Sequence, residues 1–250
     1  MLGMSPDPAT SVVISPHPDD AVLSCWDVLV RPGTRRVVTV FAGIPAAGAR
    51  PSAWDRLTGS SDAAARGSAR REEDRRALAV AGCTPDHLDF LGSTHRTGTL
   101  DPAALRDAIR RAVAGADVMW IPAAIGGHPD HIAARDAALE VRGSRTCYLY
   151  ADLPYAARFG WPGGHAGLDV AGWLGAQVAR ISAGSPVVGD CRTTLLSDAG
   201  KASKIAALGE YRSQFTALQV SAGNQFPAGP EWSYEIFWPI HDRDSAIDPP

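Results

Sequence analysis

Short apolar, β-branched runs alternate along the chain with longer segments in which apolar and polar positions follow a helical period. The runs that predict strands lie at 11–15, 35–42, 87–91, 117–123 and 147–151. The segments that predict helices are the residues after Asp20, residues 62–81, residues 101–115 with Asp101 as the N-cap, and residues 130–141. Strand followed by helix, repeated in this way, is typical of a mostly parallel sheet.

We therefore predict an α/β fold, a Rossmann-like sandwich with helices on both faces of the sheet. The chain has 250 residues, of which 45% are hydrophobic, and this is enough for one large core. We expect residues 1–250 to form a single domain. Three Gly-, Pro- or Trp-containing stretches fit the pattern poorly, and we assign them to the walls of a substrate pocket: 43–61, 158–190 and 216–233.

The charge and hydropathy of the chain indicate which kinds of molecule it can bind. The 24 basic and 27 acidic residues give a net charge of -3, and no basic block resembles a nucleic-acid arm, so we expect a small-molecule substrate and no nucleic acid. The first ten residues, MLGMSPDPAT, lack the features of a signal peptide, and no apolar run is long enough to span a bilayer. These observations predict a cytoplasmic protein without a membrane partner.

Cysteine usage points away from disulfides and structural zinc. Cys25, Cys83, Cys147 and Cys191 are scattered and form no CxxC pair. This spacing predicts reduced and mostly buried thiols.

The stretch SPHPDDA follows the first predicted strand and places His17 beside two adjacent carboxylates, Asp19 and Asp20. Adjacent carboxylates repel each other, and a bound divalent metal removes the conflict. Taken singly, an aspartate before a helix is more typical of an N-cap, and a lone histidine is more often structural. A second cluster with similar chemistry therefore decides between these interpretations.

That second cluster is AAIGGHPDH (123–131), which follows the predicted strand at 117–123. Ligands of open α/β sheets bind at the carboxyl ends of the strands, so the two clusters can meet in one crevice. A catalytic zinc keeps three protein ligands and an open position for water. His17, Asp20 and one histidine of HPDH can supply these ligands, while the other histidine faces substrate and Asp19 serves as the general base.

PHPDD and HPDH resemble the two signature motifs of the PIG-L/LmbE-like zinc-dependent deacetylases, which hydrolyse N-acyl groups, commonly on glucosamine-containing substrates. Further resemblances extend over most of the chain: RREE (70–73), YADLPYA (150–156), KASKIAALGEYRSQF (201–215) and YEIF (234–237). The resemblance implies that His17, Asp20 and His131 bind Zn²⁺, with Fe²⁺ or another divalent ion as an alternative. It also implies that Asp19 is the catalytic base and that a protonated His128 stabilises the oxyanion.

Three further residues are candidates for the surroundings of this site. Asp130 is a candidate to hydrogen-bond a neighbouring imidazole and to keep His128 protonated. Arg70 and His95 are candidate substrate contacts, although a charged helical face is more often merely solvated. The sequence departs from the family at Ala21, where a glutamate is common, and at His95, where many relatives have an aspartate.

These observations predict a metal-dependent hydrolase that removes an N-acyl group, preferably N-acetyl, from an amino-sugar-containing small molecule by attack of zinc-bound water. One alternative is an amidase for a larger amide, such as a thiol conjugate or a natural-product intermediate, with Trp161 and Trp173 as an apolar wall for a bulky group. Another alternative is a non-catalytic metal- or ligand-binding protein of the same fold. A dinucleotide-binding site is disfavoured because SPHPDD stands where a GxGxxG turn is needed.

Overall fold

A computed structural model describes residues 10–158, 170–181, 187–221, 227 and 229–242 of the chain. Its described strands form one eight-stranded sheet. They are β1 (Ser11–Ser15), β2 (Thr34–Thr39), β3 (Thr84–His87), β4 (Val118–Pro122), β5 (Thr146–Tyr150), β6 (Val187–Val188), β7 (Arg192–Leu195) and β8 (Tyr234–His241).

Ten α-helices lie in the described residues, together with a 3₁₀ turn at Pro230–Ser233. The helices are α1 (Asp20–Ser24), α2 (Trp26–Leu29), α3 (Ala53–Leu57), α4 (Ala63–Val80), α5 (Pro102–Ala112), α6 (Pro129–Glu140), α7 (Tyr155–Arg158), α8 (Val170–Ala179), α9 (Asp198–Leu208) and α10 (Phe215–Ser221). None of these helices combines the length and the apolar character that crossing a bilayer requires.

The first five strands are parallel and lie in the order β3-β2-β1-β4-β5. From β1 the chain adds β2 and then β3 on one side of the sheet. It then crosses back to form β4 on the other side of β1 and adds β5 next to β4. Because such crossovers are right-handed, the reversal places α1, α2 and α4 on one face of the sheet and α5 and α6 on the other. This confirms the predicted fold class and creates a crevice at the carboxyl ends of β1 and β4.

The second half of the sheet was not predicted from the sequence. Strand β8 pairs antiparallel with β5 on one side and with β6 and β7 on the other. Helix α9 packs against α1, α2 and α4, which closes the core on that face of the sheet.

The predicted elements in the first 150 residues are confirmed, with two differences. The third strand lies at Thr84–His87, before the predicted 87–91, because the chain leaves the parallel ladder after pairing with Thr39. The predicted helix after Asp20 is broken at Cys25 into α1 and α2. At this break the amides of Trp26 and Asp27 donate to the Glu235 carboxylate, at 2.6 and 2.8 Å, so a side chain of β8 caps α2.

Glu235 also forms a buried ion pair with Lys204 of α9, with Nζ and Oε1 3.0 Å apart. Both side chains are almost completely removed from solvent. The carboxylate is therefore surrounded by one cation and two amide donors, and it joins α2, α9 and β8 behind the carboxyl edge of the sheet.

The cysteines agree with the prediction of mostly buried thiols outside disulfides. Cys25, Cys83 and Cys147 are buried, whereas Cys191 is exposed, and none of the four forms a disulfide within the described residues.

We expect Lys204→Met to lower the free energy of unfolding by about 3 kcal/mol, because the variant leaves a buried carboxylate without its cation. Lys201→Met is the matched control on the same helix, since Lys201 pairs with the fully exposed Asp198 and its loss should change stability by less than about 0.5 kcal/mol. Urea denaturation of both variants measures the difference. Equal effects of the two substitutions would contradict a structural role of the buried pair.

Candidate metal centre and active site

The first motif is held at the end of β1 by the Ser15 hydroxyl. Ser15 Oγ donates to the carbonyl of His17 at 2.7 Å and accepts the amide of Ala21 at 3.0 Å. These two bonds fold residues 16–19 into a tight turn before α1. The turn brings His17, Asp19 and Asp20 to the carboxyl edge of the sheet.

Asp20 lies between two imidazoles. Its Oδ2 is 3.2 Å from His17 Nδ1 and 3.2 Å from His131 Nε2, and it also accepts the backbone amide of His17 at 2.8 Å. Burial alone would raise the pKa of this carboxyl, but His131 and His17 outweigh burial and hold the pKa well below its usual range. Asp20 therefore stays ionised, which is the state in which a carboxylate can bind a cation.

His131 lies in the first turn of α6 and is fully buried. Its Nδ1 is 2.6 Å from Asp152 Oδ1, so the carboxylate fixes the proton on Nδ1. The other ring nitrogen, Nε2, is buried without a hydrogen-bond partner among the described residues and faces Asp20. A nitrogen lone pair that faces a carboxylate oxygen at this distance fits a cation held between the two.

The charge around His131 also favours a bound cation. Burial opposes a positive imidazole, but Asp20 and Asp152 outweigh burial and raise the pKa of His131 to about 10. The surrounding carboxylates therefore stabilise positive charge at this point of the structure.

Asp130 orients His17 from the side opposite Asp20. Its Oδ2 is 3.1 Å from His17 Nε2 and accepts the amide of Ser93 at 2.8 Å, while its Oδ1 accepts from Arg96 at 3.2 Å. Burial is opposed by the hydrogen bond to His17, and the pKa of Asp130 is lowered. The imidazoles of His17 and His131 thus each have a carboxylate beside the ring nitrogen that faces away from Asp20. This is the usual environment of metal-binding histidines.

The structure brings His17, Asp20 and His131 together with ligand atoms within 4.8 Å of one another. A second group, His17, His128 and Asp130, meets the same distance limit. The first group fits a divalent metal better, because the Asp130 carboxylate is already occupied by Ser93 and Arg96. We conclude that the residues present fit a divalent metal at His17, Asp20 and His131.

His128 differs from its predicted state. It is the N-cap of α6, and its Nδ1 accepts the backbone amide of Asp130 at 3.2 Å. Burial and the neighbouring His17 and His131 lower the pKa of His128 to about 4, so the imidazole is neutral at neutral pH. The Asp130 carboxylate contacts His17 and does not hold His128 protonated. In this tautomer His128 still carries a proton on Nε2 and can donate a hydrogen bond.

Asp19 is buried but keeps its carboxylate free of hydrogen bonds from the described residues. Its backbone has a φ of 115°, a strained value for a residue other than glycine. Burial and the neighbouring Asp20 together raise the pKa of Asp19 to about 7 against the opposing effect of Arg70. A carboxylate with such a pKa beside a metal site has the properties of a general base.

The two candidate substrate contacts, Arg70 and His95, are both held by carboxylates. Arg70 Nη2 lies 3.5 Å from Asp19 and donates to the carbonyl of Pro18 at 3.1 Å. The geometry therefore gives Arg70 a contact with the candidate base. His95 Nε2 lies 2.9 Å from Asp55 Oδ2 on α3.

One cavity of about 320 Å³ is lined by most of these groups, whereas the fully buried His131 lies behind its wall and is not part of the lining. The lining groups are His17, Asp19, Asp20, Arg70, His95, His128 and Asp130. Of the segment 43–61, Gly43, Pro45, Ser52, Trp54 and Asp55 line the cavity, and Leu218 does so from the segment 216–233. Of the segment 158–190, residues 159–169 and 182–186 lie outside the described residues, and they include Trp161. Trp173 is on α8, is 42% exposed, and is not part of the cavity lining.

The sequence interpretation missed Asp152 as a partner of the metal site. Asp152 is fully buried and also accepts the amide of Ile125 at 3.1 Å, so it ties the loop after β5 to the loop after β4. The sequence feature that could have identified Asp152 is its position after β5, at the same sheet edge as both histidine motifs.

Gly126 lies against the ring of Tyr155, which packs on His131. Its φ is +91°, and a Cβ at this position would be 2.9 Å from the Tyr155 side chain.

The sequence profile of the PIG-L family, described as GlcNAc-PI de-N-acetylase, matches residues 12–142, which is more than half of the chain. A curated relative, 2'-N-acetylparomamine deacetylase from Streptomyces fradiae, is 34% identical over 171 residues. That match covers 59% of this chain and 58% of the relative. The chain thus spans somewhat more than half the length of this curated relative.

Two solved structures match almost the whole chain. The A40926 pseudoaglycone deacetylase Dbv21 superposes with a TM-score of 0.70 at 28% identity and covers 94% of this chain and 98% of its own. The zinc-inhibited form of the teicoplanin deacetylase Orf2 superposes with a TM-score of 0.71 at 26% identity and covers 95% of this chain and 100% of its own.

We expect Asp152→Asn to weaken the binding of a divalent metal about 10- to 100-fold, because His131 loses the charged partner that fixes its tautomer. Asp136→Asn is the matched control, since Asp136 is on the same helix as His131 but pairs with Arg135. Competition with a chelating indicator measures the dissociation constants, and thermal unfolding checks the fold. Equal metal affinities of the two variants would contradict the role of Asp152.

Proposed function

Because the chain belongs to the PIG-L family of de-N-acetylases, we propose that it is a metal-dependent hydrolase that removes an N-acyl group, preferably N-acetyl, from an amino-sugar-containing small molecule. The observation that carries this proposal is the convergence of His17, Asp20 and His131 beside the carboxylate of Asp19, which lines the cavity. A binding protein needs only the metal ligands. A hydrolase also needs a base in reach of the metal, and Asp19 has that position.

The substrate proposal rests on the relatives together with the cavity. The similar proteins are named as deacetylases of an acetylated paromamine, of the A40926 pseudoaglycone and in the teicoplanin pathway. We propose that this chain likewise acts on an N-acylated amino sugar carried by a natural product. The alternative hypothesis is an amidase that acts on a thiol conjugate. It has less support, because none of these three relatives is named for such a substrate.

We propose Zn²⁺ as the metal, with Fe²⁺ or another divalent ion as the alternative. A nitrogen- and oxygen-containing ligand set of this kind accepts several divalent ions. The related teicoplanin deacetylase has a zinc-inhibited form, so the amount of zinc supplied has to be varied in any assay.

When bound, such a metal polarises the acyl carbonyl and lowers the pKa of a water molecule. His17, Asp20 and His131 would hold it, and Asp130 and Asp152 would keep the two imidazoles oriented through their far nitrogens. We assign these five residues to the metal centre.

Residues of this chain carry out the proton transfers. Asp19 accepts a proton from the attacking water and returns it to the amine nitrogen as the C–N bond breaks, because its carboxylate lies in the cavity and accepts no hydrogen bond from the described residues. Arg70 contacts this carboxylate and keeps it in place. His128 donates from Nε2 to the oxyanion that forms when the acyl carbonyl is attacked, and it does so as a neutral imidazole.

The domain organisation is part of the same proposal. We propose that residues 1–250 act as one catalytic domain, with pocket walls contributed by 43–61, 158–190 and 216–233. The support is that the solved relatives cover 94% and 95% of this chain with a single fold.

The protein should release acetate from at least one glycoside in a panel of N-acetylated amino sugars that ranges from simple glucosaminides to N-acetylated aminoglycosides and glycopeptide pseudoaglycones. Chelation should abolish release, and substoichiometric Zn²⁺ or another divalent ion should restore it. Acetate is measured by a coupled assay. A metal-loaded protein that releases no acyl group from any member would favour the non-catalytic alternative.

Asp19→Asn should lower kcat about 10²- to 10⁴-fold while the bound metal is retained, because the amide cannot accept the proton of water. Asp62→Asn serves as the control, since Asp62 is an exposed N-cap of α4 and asparagine caps equally well. Single-turnover rates and elemental analysis are measured on both variants. A rate for Asp19→Asn near that of the control would remove Asp19 from the mechanism.

A further inference from the structure

The cavity has an apolar wall that the proposed mechanism does not use. Its members Leu23, Pro154 and Tyr155 all line the cavity. Leu23 belongs to α1, Pro154 to the loop after β5, and Tyr155 begins α7. The amide of Leu153 donates to Ser24 Oγ at 3.0 Å, so the two segments that form the apolar wall are joined directly beside it.

The order of the strands places Tyr155 and the candidate base on opposite sides of His128. Strands β1, β4 and β5 are neighbours in that order, and Asp19, His128 and Tyr155 follow their carboxyl ends. Strand β2 lies on the other side of β1, and the segment after β2 carries Trp54, which also lines the cavity. One end of the cavity therefore lies beyond Asp19, toward Trp54, and the other lies beyond His128, at Tyr155.

The ring of Tyr155 is held in place by the histidines of the second motif. Its centroid is 5.3 Å from that of His131 and 6.1 Å from that of His128. Gly126 leaves the space that the ring occupies, since a Cβ there would be 2.9 Å from the Tyr155 side chain. The start of α7 is fixed as well, because the carbonyl of Asp152 accepts the amide of the residue after Tyr155 at 2.7 Å.

The proposed proton transfers determine the direction of the acyl chain. The attacking water and the amine nitrogen both exchange a proton with Asp19, so both lie on the Asp19 side of the reacting carbon. His128 donates to the oxyanion. The remaining substituent of that carbon, the acyl chain, points beyond His128 toward Tyr155. An apolar wall at that position suits the C–H groups of an acyl chain.

We propose that Tyr155 is a specificity-determining residue whose ring closes the acyl end of the cavity, so that acetyl is accepted and longer acyl groups are excluded. This inference rests on the proposed function, because it identifies how the same cavity selects the acyl group. A longer chain overlaps the Tyr155 ring, and the ring cannot withdraw without disturbing its packing on His131 and Gly126.

The test uses the glycoside that the protein deacetylates fastest, prepared as its N-acetyl, N-propionyl and N-butyryl derivatives. In the wild type, kcat/KM should fall at least about tenfold from acetyl to butyryl. Tyr155→Ala should raise the butyryl-to-acetyl ratio of kcat/KM at least about tenfold, and Tyr155→Leu should raise it less. Tyr155→Phe should keep the ratio of the wild type, because the ring remains. Thermal unfolding and elemental analysis check the fold and the metal content of each variant.

Trp54→Ala is the matched control, because it removes an aromatic side chain from the other end of the cavity. It should lower kcat/KM for all three derivatives by a similar factor and leave their ratio unchanged. Efficient hydrolysis of the butyryl derivative by the wild type would overturn the inference, and so would an unchanged ratio in active Tyr155→Ala and Tyr155→Leu. Both outcomes would leave the proposed function intact. If the wild type hydrolyses no derivative, the proposed function fails and this inference fails with it.

Discussion

Repulsion between the buried, adjacent carboxylates of Asp19 and Asp20 is the constraint on which the site depends. The structure resolves it by giving the two groups different neighbours. Asp20 faces two imidazoles and has a lowered pKa, whereas burial raises the pKa of Asp19 to about 7 although Arg70 lies 3.5 Å away. One carboxylate is thereby suited to hold a metal and the other to exchange a proton, although they are neighbours in the chain.

The scaffold behind this site is tied together by carboxylates that serve no catalytic step. Glu235 caps α2 and pairs with Lys204, and Glu73 of α4 accepts both the amide and the hydroxyl of Ser213. Asp74, one residue further along α4, accepts from Thr39, His87 and Tyr211. These contacts join the stretches around 70–73, 201–215 and 234–237, which lie far apart in sequence.

The sequence predicts the first half of the fold well because the relevant signals are local. Apolar runs mark β1 and β4, and each is followed directly by its histidine motif, so the carboxyl-edge rule brings His17 and His131 together. Asp55 and Asp152 could not be assigned in this way. Their roles depend on contacts with His95 and His131 across 40 and 21 residues, which no local pattern encodes. The predicted protonated state of His128 was wrong for a similar reason, since burial and the two neighbouring imidazoles lower its pKa.

The unusual backbone of Asp19 means that this protein is less stable than its fold allows. A non-glycine residue at a φ of 115° costs about 1–3 kcal/mol, and glycine would relieve that strain. Selection for stability alone would therefore replace Asp19, and selection for hydrolysis would keep it. The residue marks a position where thermostability and turnover are opposed, so stabilising changes to this protein have to be sought away from the turn between β1 and α1.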